Sequence, residues 1–395
     1  MSRIVITGIG IISAIGNSAA ENRKSLQQGI SGLSSLELFP SRYSSLLPFA
    51  EIKTDNEAFK RKLGITQASI TRTTLLALHA MEESITDSEL SRNEIQSEGT
   101  AFVNGTTVGG MCLTDELYKD ANSYTEGSAY TNSYDLGSVA IFLQSYYNIS
   151  GVINTINTAC SSSANAIMYG ARLIQNGLAK RAIVGGTDSL AKFTINGFNS
   201  LQILSSQKCT PFDANRNGLN LGEGAAYLIL EREEDCKGKK IYASLSGYSN
   251  SNDALHPSSL SENGEGPYLS MKSALESAGL VPKEISFINA HGTGTENNDL
   301  TESRAMLRLF NEKIPFASTK SYTGHTLGAA SAIEAIYSIF NIYYQELYPS
   351  LYFQTPILET GLIPVTSYQE SNIENVMSNS FGFGGNCSSL IFSKV

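Results

Sequence analysis

Short apolar, β-branched runs closed by glycine, asparagine or threonine alternate along the chain with longer stretches whose apolar positions recur at helical spacing. The alternation predicts strands and helices in turn, hence an α/β protein with mostly parallel sheets covered by helices. The series occurs twice. RIVITGIG at 3–10 matches KIYASLSGYS at 240–249 as an opening strand, and FVNGTTVGG at 102–110 matches FINAHGTGT at 287–295 as a strand followed by a Gly/Thr-rich loop. VINTINTACSSSANAIMYGARLI at 152–174 and IPFASTKSYTGHTLGAASAIEAIYSI at 314–339 both run strand, small-residue turn, helix. NGLNLGEGAAYLILE at 217–231 and FGFGGNCSSLIFSKV at 381–395 read as glycine hairpins leading into a closing strand. The repeat divides the chain into 1–236 and 237–395, with the polar DCKGKK at 235–240 as the joint. Helices at 160–171 and 325–335 are so poor in bulky side chains that neighbours can approach from every side, which places them between two sheets. The stretch from about 35 to 70 breaks the repeat and reads as a surface excursion.

Composition narrows the function more than the fold. With 395 residues, 41% hydrophobic and 16% charged, the chain is globular and long enough for roughly two to three domains. Its 28 basic against 37 acidic residues leave a net charge of −9, which argues against nucleic acid as a partner. Five scattered cysteines without a CxxC pair predict neither a disulfide framework nor a structural zinc site, and suit a reducing cytoplasm. The N-terminus lacks the pattern of a signal peptide and no run of about 20 apolar residues occurs, so no membrane anchor is expected.

Cys160 follows a strand and opens a helix, where unpaired amides and the positive helix end favour a thiolate nucleophile. A lone cysteine is more often an inert small hydrophobe, and the surroundings tip the balance. Two of the four histidines, His291 and His325, lie in glycine-rich loops after apolar strands, where small neighbours leave room for substrate and an imidazole can donate to developing negative charge. If the repeats pair by pseudo-symmetry, Cys160 and His325 occupy equivalent helix starts facing one cleft. His79 and His256 read as an amphipathic helix position and a loop.

These segments carry a resemblance. TACSSS with Cys160, PFDANRNGLNLGEGA at 211–225, NAHGTGTENND with His291, STKSYTGHTLGAASAIEA with Lys320, His325 and Glu334, and NSFGFGGN at 379–386 resemble the β-ketoacyl-acyl carrier protein synthases, in that family's order and spacing. The resemblance implies the thiolase fold, a five-layered αβαβα duplication. It implies that Cys160 holds an acyl group as a thioester, with the amides of Cys160 and Phe383 as oxyanion donors, and that His291 and His325 stabilise the enolate left when malonyl carrier protein loses CO2. Lys320 and Glu334 would support the site electrostatically, Phe383 would gate it, and Val108 and Phe198 would line the acyl channel. No metal, nicotinamide or flavin cofactor is required.

The chain also departs from the family's commoner text. CSSS follows TA, little chain precedes PFD, and GGNCSS stands in place of GGTN. The departures leave open a specialised polyketide or polyene elongase beside a housekeeping fatty-acid one, and a heterodimer with a ketosynthase-like subunit beside a homodimer. An acidic acyl carrier protein needs a local basic patch, for which Lys60, Arg61, Lys62 and Arg72, with Lys208 elsewhere, are the candidates. A cysteine protease lacks its signature here and Ser13 spoils a dinucleotide-binding glycine motif; a CoA-dependent thiolase would need a second catalytic cysteine, for which Cys387 near a glycine loop is the candidate, while HGTGT and KSYTGH favour decarboxylating condensation. A cavity-shaping accessory subunit would have no use for the retained Cys160, His291, His325 and Lys320.

Overall fold

The computed structural model describes residues 3–128, 130–310 and 314–395. Among them one sheet of ten strands dominates. Its members are β1 (Ile4–Ser13), β2 (Thr100–Gly105), β3 (Ile153–Ile156), β4 (Arg181–Asp188), β5 (Gly224–Arg232), β6 (Ala243–Asn252), β7 (Phe287–Asn289), β8 (Phe316–Ala317), β9 (Asn375–Phe381) and β10 (Asn386–Ser393). Across the sheet the order is β8-β7-β9-β10-β6-β1-β5-β4-β2-β3. Outward from the centre, β1-β5-β4-β2-β3 on one side repeats as β6-β10-β9-β7-β8 on the other. The junction is narrow, only Val5 against Ser244 and Ile6 against Ala243, so two five-stranded sheets meet edge to edge.

The sheets are mixed, where mostly parallel ones were expected. β5 runs antiparallel to both β1 and β4, and β10 antiparallel to both β6 and β9, while β2–β4, β2–β3, β7–β9 and β7–β8 are parallel. The closing strand of each series comes back beside the strand before it and pairs with it antiparallel, through residues 189–223 with the helix Lys192–Ser200 in the first series and through a tight hairpin in the second. Only the second series has the expected glycine hairpin, Phe381 to Asn386. The stretch 217–223 instead runs extended beside other loops, with Leu221 bridged to His325.

Helices complete the layers. α1 (Arg72–Asp87) covers the outer face of β1, β5 and β4, and α3 (Glu265–Ala278) covers β6 and β10, with α4 (Glu296–Leu309) packed against α3. Between the sheets lie α2 (Ser162–Gln175) and α5 (Ala330–Tyr344), packed on each other and on strands of both series. The architecture is αβαβα. Every residue of α5 from Ala330 to Ile342 is buried, as befits a helix apolar on all sides. Small residues bring α2 close to the sheet: a Cβ at Gly170 would lie 2.3 Å from Val184. The two central helices are tied where they start, Ala332 N–H donating to Ser163 Oγ (2.9 Å) and Ser331 Oγ–H to the Cys160 carbonyl (2.8 Å). The excursion at 35–70 holds a two-stranded ribbon, Leu33–Ser34 with Phe49–Ala50, and the helix Asn56–Leu63. No described helix is long and apolar enough to cross a membrane.

Candidate active site

Cys160 stands on a sharp turn between β3 and α2. Ala159 before it has φ +54°, an unusual backbone for a residue with a Cβ, and Ser161 after it caps α2. The turn lifts the sulfur into a cavity of about 510 Å³ lined by Phe198, His291, His325, Phe381 and Phe383, among others. Cys160, His291 and His325 come together as the sequence predicts: the sulfur and one nitrogen of each ring all lie within 4.8 Å of one another. His325 Nε2 is 3.0 Å from Cys160 Sγ, and the two imidazoles meet edge to face with centroids 5.5 Å apart.

Hydrogen bonds on the far side of each ring set its proton. Leu327 N–H donates to His325 Nδ1 (3.1 Å), so the neutral ring carries its hydrogen on Nε2, toward the sulfur. The Lys320 ammonium donates to His291 Nδ1 (3.3 Å), to the His291 carbonyl (2.6 Å) and to Glu334 Oε1 (2.5 Å). Its three protons are thereby used, and His291 too presents Nε2–H. Burial, then the Lys320 charge, holds both imidazoles well below the usual histidine range, with each ring neutral at pH 7. Both are therefore donors, not bases. The same ammonium makes the cluster a poor cation site, although a thiol and two imidazoles could otherwise ligate one.

The sulfur behaves differently from the helix-end expectation. Burial pushes the Cys160 thiol up to about 11, against the lowering influence of Lys320 and of the Phe383 and Cys160 backbone amides. Loss of water outweighs the positive helix end, so the resting group is the thiol. The Phe383 amide reaches the sulfur from the turn Gly382–Gly385, which packs tightly on the Cys160 turn; a Cβ at Gly382 would lie 2.7 Å from the Thr158 carbonyl and 3.2 Å from Cys160 N.

Several residues that hold this geometry carried no signal in the motif reading. Asn220 and Gly222 clamp the His325 backbone, which donates to the Asn220 carbonyl (2.7 Å) and accepts from Gly222 N–H (3.0 Å). A Cβ at Gly222 would lie 2.0 Å from the Thr323 carbonyl, which explains the glycine. Glu302 on α4 accepts the His291 and Gly292 amides (both 2.9 Å), and burial pushes it up to about 7. Asp188, fully buried at the end of β4, gathers Val108 N–H (2.9 Å), the Thr106 and Thr107 hydroxyls and Gly328 N–H (2.6 Å), linking the loop of one repeat to the His325 loop of the other. A buried carboxylate that close to the site could have been suspected from GGTD at 185–188, but nothing in that text says what it would touch.

Two models of the β-ketoacyl synthase family match, the N-terminal domain over residues 1–236 and the C-terminal domain over 242–354. A putative mitochondrial 3-oxoacyl-[acyl-carrier-protein] synthase of Schizosaccharomyces pombe is 32% identical over all of this chain and 99% of its own length. The chain belongs to the β-ketoacyl synthase family. A 3-oxoacyl-[acyl-carrier-protein] synthase 2 of Staphylococcus aureus is likewise 32% identical, covering 99% of this chain and 98% of that one. Among solved structures, the ishigamide ketosynthase/chain length factor superposes with TM-score 0.94 at 28% identity, over 100% of this chain and 99% of that chain. A ketosynthase of Xenorhabdus doucetiae (ApeO), solved in complex with its chain length factor (ApeC), gives 0.86 at 32% identity over 100% and 98%. The synthase is thus a condensing acyltransferase of the thiolase fold.

The remaining predicted residues divide. Phe198 lines the cavity and stacks on Phe383, centroids 5.9 Å apart, with Phe383 partly exposed at the mouth. Val108 is buried one layer away, packed with Phe198 and Leu219. The basic candidates do not form one patch. Arg72 is a correction: it is buried, ion-paired with Glu223 (2.6 Å) and bonded to the Ile52 and Thr54 carbonyls, so it anchors the 35–70 excursion and cannot meet a carrier. Arg61 and Lys62 are exposed, Lys60 pairs with Glu57 (3.0 Å), and Lys208 lies exposed over the Tyr352 ring. None of the five lines the Cys160 cavity. His79, inside α1, bonds the Asn17 carbonyl (2.7 Å), and His256 sits in an exposed loop.

Proposed function

We propose that this synthase takes an acyl group from an acyl carrier protein onto Cys160 and extends it by two carbons from malonyl carrier protein. The contact that carries the proposal is His325 Nε2 at 3.0 Å from Cys160 Sγ, with His291 in the same cavity. In the first step Cys160 sulfur bonds to the acyl carbonyl carbon and the carrier thiol leaves with the proton that Cys160 gives up. The tetrahedral oxyanion accepts from the Cys160 and Phe383 amides. In the second step the malonyl C–C bond breaks, CO2 departs, and its electron pair forms a thioester enolate whose oxygen accepts Nε2–H from His291 and His325. The enolate carbon then bonds to the Cys160 thioester carbon and the thiolate leaves. Lys320 holds the His291 tautomer and Glu334 balances Lys320; neither meets the substrate. Phe383 gates the mouth against Phe198, and Val108 backs the acyl channel.

The likeness to ketosynthases solved with a chain length factor supports a polyketide or polyene pathway and a dimer, with this chain as the cysteine-bearing partner whichever subunit it pairs with. β3 ends the sheet, and Tyr118, Tyr124 and Ile141 are exposed on the chain leading to it, which suits assembly along that edge. Residues 1–236 and 237–395 are taken as two domain-sized units of one duplicated origin. Lys60, Arg61, Lys62 and Lys208 remain the carrier-docking candidates, in a cytoplasmic enzyme without metal or redox cofactor.

Intact-mass and peptide mass spectrometry after mixing with acyl carriers of several lengths test the reading. An acyl adduct on Cys160, followed by a two-carbon-longer β-ketoacyl carrier when malonyl carrier is added, is the expected result. An unmodified Cys160 beside full activity of a partner subunit would overturn it.

A further inference from the structure

A motif position left without a use is Asn386, where GGNCSS first departs from GGTN. It is the first residue of β10 and follows the turn Gly382–Gly385, whose only side chain belongs to Phe383. Glycines make that turn compliant: Gly384 and Gly385 have φ +84° and +80°. Its own ties, Gly382 N–H to the Asn386 carbonyl (2.7 Å) and Gly385 N–H to the Gly382 carbonyl (3.1 Å), fix its shape. Gly384 N–H to the Pro257 carbonyl (2.7 Å), Asp253 N–H to the Gly385 carbonyl (2.8 Å) and Asn252 Nδ2 to the Gly384 carbonyl (3.1 Å) hold its outer side to the end of β6 and the loop after it; none of these reaches the Cys160 turn.

Its distance from Cys160 is set from the side. Asn386 Oδ1 accepts from Ser161 Oγ–H (2.7 Å), from Asn165 Nδ2 (3.0 Å) and from Asn250 Nδ2 (2.7 Å). Ser161 and Asn165 belong to the Cys160 turn and the first turns of α2; Asn250 belongs to β6. Asn165 also donates to Thr158 Oγ1 (2.7 Å), and its Oδ1 accepts from Asn250 (3.0 Å), so the ring of amides closes on both sides of Cys160. One acceptor oxygen thus joins the strand that follows the Phe383 turn to the helix that follows Cys160.

We propose that Asn386 is a positioning residue, whose side-chain oxygen locks the Phe383 amide against the Cys160 turn and so sets the oxyanion site. It rests on the function proposed above and deepens it, since the Phe383 amide matters only if a tetrahedral oxyanion forms at Cys160. The same amide also helps lower the Cys160 thiol from where burial would put it, which provides a readout needing no carrier at all.

Wild-type, Asn386→Ala and Asn386→Asp proteins are compared in three measurements: single-turnover acylation of Cys160 by an acyl carrier protein, the pH profile of Cys160 alkylation by iodoacetamide, and thermal melting. Asp keeps an acceptor for Ser161, Asn165 and Asn250; Ala does not. The Ala variant is expected to lose roughly ten- to a hundredfold in acylation rate at saturating carrier with little change in carrier KM, and to shift its alkylation profile to higher pH. The Asp variant should recover most of both, and all three proteins should melt alike within a few degrees. Wild-type behaviour of the Ala variant, or a loss that tracks melting and is not rescued by Asp, would overturn the assignment. Should wild-type Cys160 accept no acyl group, the proposed function falls, and the alkylation profiles alone decide the role of Asn386.

Discussion

Cys160 and His325 occupy corresponding stretches of a repeated series, strand to small-residue turn to central helix, yet the two are held in opposite ways. Cys160 is one residue from the cap of α2, and its turn is secured by hydroxyl and amide side chains, the buried Ser161 and the half-buried Asn165 and Asn386. His325 is five residues ahead of α5, separated from it by the turn Leu327–Ala329. It is not at a helix start because Gly324 and Leu327, with φ +61° and +54°, fold the chain back before the helix begins. Everything around it is buried: the Asn220–Gly222 strand, the Leu327 amide and, across the cavity, the Lys320–Glu334 pair. Cys160, the proposed nucleophile, sits in a cavity whose mouth carries the partly exposed Phe383. The donors must stay neutral and fixed, and a dry core supplies that.

The sharpest way to test the contrast is to remove its chemical half. Cys160→Ala is expected to abolish the acyl adduct and lower condensation by at least roughly a thousandfold, read by mass spectrometry and product formation. Residual turnover near wild type would place the nucleophile elsewhere. Breaking the buried pair on the other side should show in stability as well as rate. Lys320→Ala leaves Glu334 without its partner in the core, at a cost of about 3–5 kcal/mol in denaturant unfolding, and CO2 release from malonyl carrier should fall with it. A neutral effect on both would mean that the pair does not hold His291.

Acidity separates the two sides further. The folded imidazoles resist protonation, while in the unfolded chain they take up protons below about pH 6.5. Stability should therefore decline as pH falls below that point, by up to about 1.4 kcal/mol per pH unit for each ring. Decarboxylation should show no inflection near 6.5, since the folded rings stay neutral there, and an acid limb centred at 6.5 would contradict the buried tautomers. Cys160 alkylation should instead keep rising past pH 9 toward about 11. The smallest effect is expected far from both loops. Neutralising Lys60, Arg61 and Lys62 should raise the apparent carrier KM about two- to fivefold at low salt and less at high salt. An unchanged KM would retire that surface, and Arg72 has already left it.

Motif text reached the three groups that meet in the cavity because residue type is local: a sulfur at a strand-to-helix turn and two imidazoles beside glycines are legible one segment at a time. Text could not reach Asp188, Glu302 or Asn220, since each acts by accepting a hydrogen bond from the backbone of another element or loop, and a lone Asp or Asn reads as a cap or turn residue. It also misplaced Arg72, because a basic residue near other basic residues looks like a surface patch until its carboxylate partner, 151 positions away, is seen.

From the amino acids alone came the duplicated α/β plan, the small-residue central helices and the identity of the sulfur and imidazoles, because periodicity and local residue chemistry are properties of short windows. Tertiary structure alone decided strand direction, the protons on the imidazoles, the resting state of the thiol and the company of each charged group. Those depend on burial and on which atoms of other segments arrive alongside, most of them far from the group in the chain.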